Sequence, residues 1–215
     1  MKKFHLTSIL FLAFACGCSQ NKGRESLVPP GLVGGGCDGC EAIFEYGSKI
    51  LTDIDTLPDY REPGPRMEIS GTIFQTDGKT PAKNVILYIY HTDQKGYYSA
   101  KGNETGQGKR HGYIRGWIKT GTDGRYKFFT LRPAAYPKRN APEHIHAIVK
   151  EPNINEYYID EYEFDDDPLL TDEKRNMAKG RCGSGIVSLT RDNRGIMQCH
   201  RDVVLGKNIP NYPKQ

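Results

Sequence analysis

Between residues 67 and 205 the sequence is a succession of short runs rich in Ile, Val, Tyr and Phe. Turn-forming stretches such as Thr76-Asp77-Gly78 and Thr122-Asp123-Gly124 separate them. Short runs of β-branched and aromatic residues bounded by Gly, Asp and Pro read as strands, and this pattern constrains the fold most. The expected strands are residues 68–75, 84–91, 113–119, 126–131, 144–151, 157–164, 185–190 and 196–205. Residues 41–52 suit a short helix, 53–66 read as turn-like, and after Gly71 only 171–179 offers helical periodicity. About eight strands with no helices between them imply an all-β fold, here a β-sandwich.

The N-terminus has a different character. Lys2 and Lys3 precede an apolar stretch, residues 6–15, too short to span a bilayer, which is the pattern of an export signal. The stretch runs into Ala15-Cys16-Gly17-Cys18-Ser19, which resembles a bacterial lipoprotein box. The expected organisation is a lipoprotein signal peptide over 1–17, a flexible tether over 18–36 rich in Gly and Pro, and one domain over 37–215. Cys18, or alternatively Cys16, would carry the lipid and anchor the exported domain to a membrane of the cell envelope. The formal charge of +4 includes Lys2 and Lys3, so the mature domain is close to neutral and no nucleic-acid partner is implied.

Choosing Cys18 leaves four cysteines downstream, an even number suited to an oxidising compartment. Cys182 and Cys199 flank a stretch that reads as a hairpin turning at residues 192–195, so a bridge across its open end is expected. Cys37-Asp38-Gly39-Cys40 suits a small structural disulfide better than half a zinc site or a redox pair.

His144-Ile145-His146 opens a strand, and residues two apart in a strand face the same side, so both imidazoles can reach one point in space. Alone, such a pair is common on surfaces. Tyr98 follows a hydrophobic strand at a turn, and Tyr136 stands between turn-forming residues shortly before the histidines. Most of the 13 tyrosines, including Tyr88, Tyr90, Tyr126 and Tyr158, read as core or rim residues of strands.

The combination carries more than its parts. The run Tyr88-Ile89-Tyr90-His91-Thr92-Asp93-Gln94-Lys95-Gly96-Tyr97-Tyr98 is followed by Tyr113-Ile114-Arg115-Gly116, Thr122-Asp123-Gly124-Arg125-Tyr126, Tyr136-Pro137 and His144-Ile145-His146. In order and spacing this resembles the intradiol ring-cleavage dioxygenases, especially their protocatechuate 3,4-dioxygenase branch. The resemblance spans residues 68–170 and includes Phe164-Asp165-Asp166-Asp167-Pro168-Leu169. It implies a non-haem Fe(3+) cofactor held by Tyr98, Tyr136, His144 and His146, with Tyr98 and His144 equatorial and Tyr136 and His146 axial. It further implies a small aromatic diol and O2 as substrates, with Tyr136 leaving the metal as a base when the catechol chelates. Phenolate is a hard anionic donor suited to Fe(III), which agrees with this set.

Two positions depart from the family pattern. The family arginine three residues before the first histidine is Ala141 here, leaving Arg139 or Arg115 as candidates for stabilising developing negative charge. A family glutamine near the substrate is Glu161, an acid expected to repel a catecholate. These departures keep a second reading in view, a cell-surface β-sandwich that binds a metal or ligand without turnover. The run Asp165 to Asp167 is expected to be a solvated turn rather than a calcium site. His91, His111 and His200 are expected at the surface or behind the ligands.

Overall fold

The computed structural model describes residues 31–214; the expected signal peptide, the candidate lipidation cysteines Cys16 and Cys18 and most of the expected tether lie outside them. Two sheets carry the fold. The first is ordered β1 (Ile54–Thr56), β5 (Arg125–Leu131), β2 (Arg66–Phe74), β11 (Met197–His200) and β10 (Thr190–Arg191), with β12 (Val203–Val204) also on β2. The second is ordered β4 (Arg115–Lys119), β3 (Ile86–Tyr90), β6 (His144–Lys150), β8 (Tyr162–Phe164) and β9 (Ile186–Val187), with β7 (Tyr157–Tyr158) also on β6.

From Met67 onward strand β2 alternates buried and partly buried residues, the signature of a sheet with one face packed. Met67, Ile69 and Ile73 point inward with Phe128 and Tyr126 of β5, and meet Leu87, Ile89, Ile145, Ala147 and Val149 of the second sheet in one core. Burial of each large side chain contributes about 1.5–3 kcal/mol. Strands β3 and β6 are instead buried nearly end to end. Their outer face is covered by a short 3₁₀ helix, Cys40–Phe44, which packs on Tyr88, Trp117 and Ile148 as a second apolar cluster. Trp117 Nε1 donates to the Ala42 carbonyl at 3.1 Å, fixing that helix to the sheet.

Several sequence expectations need correction. Residues 31–36 are packed: Val33 lies in the core, its N–H bonds Asn155 Oδ1 at 3.1 Å, and Gly34 N–H bonds Pro210 O at 2.7 Å. The packed unit therefore begins by Gly31 rather than Cys37. The turn-like stretch 53–66 contains β1, a three-residue strand whose central Asp55 accepts from Trp117 N–H at 2.9 Å, too short to show a period. The expected strands 157–164, 185–190 and 196–205 each split in two.

The expected bridge between Cys182 and Cys199 does not form; both thiols are free and buried. The turn at Asp192 and Gly195 exists, but the hairpin has only two residue pairs before β9 leaves for the other sheet. Cys199 lies opposite Ile69 in a parallel pairing with β2, while Cys182 is held by backbone bonds to Lys207 and Val204. Cys37 and Cys40 are joined by a disulfide with a Cα separation of 5.6 Å.

Candidate metal centre

The two histidines of β6 project from the outer face of the second sheet, at the end where β6 pairs with both β3 and β8. Tyr90 stands opposite His146 across the strands and its ring stacks on the imidazole, centroids 4.4 Å apart and 17° from parallel. The loop after β3 then turns back at Asp93, whose carboxylate accepts from Lys95 N–H (2.8 Å), Tyr97 N–H (3.1 Å) and Ser99 Oγ (2.5 Å). Gly96 adopts φ +81°, and a Cβ there would stand 2.1 Å from the Ala135 carbonyl oxygen, so only glycine lets the two loops touch. Ala134 N–H donates to Asp93 O at 3.1 Å and Thr92 Oγ to Ala134 O at 2.7 Å. These bonds clamp the loop carrying Tyr98 to the loop carrying Tyr136.

Four donor atoms converge as a result. Tyr98 Oη contacts Tyr136 Oη closely and lies 2.6 Å from His146 Nε2. Tyr136 Oη lies 3.2 Å from His146 Nε2 and 3.0 Å from His144 Nε2. The opposite ring nitrogens are already committed. His144 Nδ1 is 2.7 Å from the Pro142 carbonyl, an obligate acceptor, and His146 Nδ1 is 2.6 Å from Glu161 Oε1. Both rings therefore carry their proton on Nδ1 and present a bare Nε2 to the tyrosines.

The proton count then fails to close. Four close contacts among these atoms have only two hydroxyl protons to serve them, and a protonated His146 would add just one more. A cation between the four removes the conflict. A first-row metal ion holds N and O ligands at about 2.0–2.2 Å, which sets ligands at right angles about 2.9 Å apart, close to the spacings found. Two phenols and two imidazoles form a hard N/O set suited to ferric iron, so the residues present fit that cofactor.

The electrostatics point the same way. Burial, then the contact with Tyr136 and the charge of Glu161, raise Tyr98 far above the ordinary phenol range. Burial also raises Tyr136, offset by the hydrogen bond from Tyr98 and by Arg139. Burial lowers His144, keeping it neutral. Burial would raise Glu161, but its hydrogen bond and charge interaction with His146 bring it down to about 2. The site holds unionised phenols beside a carboxylate, an arrangement that binding of a cation would convert to phenolates.

The two candidate arginines part company. Arg139 stands over the Tyr136 ring, 5.6 Å from its centroid. Arg115 pairs with Glu45 at 2.6 Å and stacks on Trp117 at 5.0 Å, so its guanidinium serves the outer apolar cluster rather than the tyrosine pair. His111 is buried, stacks on Tyr90 with centroids 3.8 Å apart, and lies 2.9 Å from Tyr88 Oη, forming a wall behind His146. His91 is a core residue bonded to Thr130 Oγ at 2.6 Å, and His200 is exposed beside Asp202. Asp167 is buried rather than solvated and accepts from Glu143 N–H at 2.6 Å, bracing the residue before His144. Tyr90 escapes the sequence reading, which expects Glu161 near the substrate but does not assign its bond to His146. Tyr90 belongs to an ordinary apolar strand, and Glu161 lies 15 positions beyond His146, so no local spacing ties the two together.

Residues 42–202 match the family model described as Dioxygenase, a span that contains all four converging donors. The chain belongs to the intradiol dioxygenase family. It is 30% identical over 139 residues to catechol 1,2-dioxygenase 1 of Acinetobacter lwoffii, covering 57% of this chain and 43% of the relative. It is 27% identical over 137 residues to the protocatechuate 3,4-dioxygenase beta chain of Burkholderia cepacia, covering 58% of each. The chain thus spans about half the length of these dioxygenase relatives. The solved catechol 1,2-dioxygenase from Acinetobacter sp. ADP1, inhibited by bound mercury, superposes with a TM-score of 0.56 at 21% identity, over 76% of this chain and 61% of that one, a likeness of fold.

Proposed function

We propose that this chain is a non-haem Fe(III) intradiol dioxygenase that cleaves a catechol-type ring between its two hydroxyl-bearing carbons. Both atoms of O2 enter the product, a muconate-type dicarboxylate. The observation that carries the reading is the convergence of Tyr98, Tyr136, His144 and His146 with fewer protons than contacts. When bound, ferric iron would supply the chemistry that opens the substrate's ring carbon to O2. The protein residues do the rest. Tyr136, half-buried and in contact with Tyr98, His144 and His146, would as a phenolate take a substrate hydroxyl proton, and Arg139 beside its ring offsets the negative charge on that oxygen. Tyr98, wedged between Tyr136 and His146 and clamped through Asp93, would be the fixed phenolate once iron is bound. The test is oxygen uptake against a panel of catechols with product analysis: one O2 per dicarboxylate supports the reading, and extradiol products contradict it.

A second reading, binding without turnover, draws on Ala141 at the family arginine position and the exposed Arg139. Iron and catechol binding with no oxygen uptake would favour it. We extend the proposal to an exported protein anchored through lipid on Cys18, on the strength of the leader pattern. Incorporation of labelled fatty acid, abolished by Cys18→Ala, tests that; labelling that persists would move the site to Cys16 or overturn it.

A further inference from the structure

We infer that Glu161 is a positioning residue that locks the His146 ring and, through its negative charge, makes the metal centre more electron-rich than a neutral side chain there would. The inference rests on the iron site proposed above. The carboxylate of Glu161 meets the edge of the His146 ring at Nδ1, 2.6 Å away, on the opposite side from the tyrosine oxygens. The ring cannot turn to escape, because Tyr90 lies flat against it with centroids 4.4 Å apart.

The backbone around Glu161, in the break between β7 and β8, is held from both sides. Asp160 N–H donates to Arg181 O at 3.2 Å, Asp160 O accepts from Arg201 Nη1 at 2.7 Å, and Glu163 N–H donates to Gly185 O at 3.1 Å. A Cβ on Gly185 would stand 2.0 Å from the Glu161 carbonyl, so the neighbouring chain is packed against this segment. An ionised carboxylate can only accept, so it fixes the Nδ1–H tautomer and frees Nε2 for the metal. A carboxylate accepting from a ligating imidazole also raises the donor strength of that imidazole. Glu161 shares a cluster with His144 and His146 in which one ligand atom of each lies within 4.8 Å of the others, but its own contact is to the nitrogen facing away from Tyr98, which assigns it beside the ligand set rather than in it.

Two substitutions separate the roles. Glu161→Gln keeps an acceptor and removes the charge; Glu161→Leu removes both. On iron-loaded protein, Glu161→Gln is expected to retain iron, to move the tyrosinate-to-iron absorption to lower energy and to raise the Fe(III)/Fe(II) potential. Glu161→Leu is expected in addition to weaken iron binding by about 10–100-fold. In iron-free protein, nitrogen-15 NMR should find His146 in the Nδ1–H form, with that preference lost in Glu161→Leu. Unchanged absorption and potential in Glu161→Gln, or a His146 protonated on Nε2, would overturn the inference. So would complete loss of iron in Glu161→Gln, which would make Glu161 a direct ligand. A wild-type protein that takes up no iron would instead fail the proposed function, and the NMR measurement would still judge Glu161.

Discussion

Tyr98 and Tyr136 show how the proposed metal site is written at the scale of single residues. Each phenol, half-buried and close to the Glu161 carboxylate, resists ionisation on its own, and a bound cation would reverse the balance. Replacing Tyr98 by Phe is expected to remove the fixed phenolate and most of the visible absorption of the iron form, measured by spectrum and metal content. Replacing Tyr136 by Phe removes the proton acceptor, and ring cleavage should fall by about 10²–10⁴-fold, measured as turnover at saturating catechol. Away from the site, His91 is buried and bonded to Thr92 and Thr130, and burial brings it down to about 4 from an ordinary 6.5. Its folded form prefers the neutral ring, so stability from this residue is complete above pH 6.5 and is lost as pH falls toward 4. Urea unfolding of His91→Gln across that window should show a flatter acid slope than the wild type, by up to roughly 3 kcal/mol.

At the scale of elements, the loops do the work of convergence. The Asp93 turn and the Ala134 to Tyr136 segment touch only because Gly96 lacks a side chain. Gly96→Ala should therefore separate the tyrosines, lower stability by about 1–3 kcal/mol and weaken iron binding, as read by thermal unfolding and metal titration. The strands that carry these loops were legible, since 68–75, 84–91, 126–131 and 144–151 all match observed strands within a residue or two. Pairing was not. A sequence places Cys182 and Cys199 around a turn, but the parallel pairing of β11 with β2 is set by distant contacts and carries Cys199 into the core. Burial pushes both thiols up to about 12, so alkylation followed by peptide mapping should modify them only after denaturation.

At the scale of the whole molecule, the sandwich keeps its core between the sheets and places the candidate metal centre on the outer face of the second sheet. The convergence of Tyr98, Tyr136, His144 and His146 could be read from sequence because each sits in a motif with its own spacing. The role of Tyr90, and the bond of Glu161 to His146, could not, because they depend on which strands become neighbours; the sequence reading places Glu161 near the substrate, but as a repelling acid. The same holds for Arg115, whose motif is local but whose partner, Glu45, comes from the segment covering the sheet. The central claim is that the convergence of Tyr98, Tyr136, His144 and His146 is a ferric centre. Metal analysis with a visible spectrum, before and after catechol is added, tests it most directly. One iron per chain, with a tyrosinate charge-transfer band that shifts on adding catechol, is the expected result; a colourless protein that takes up no iron on reconstitution would contradict it.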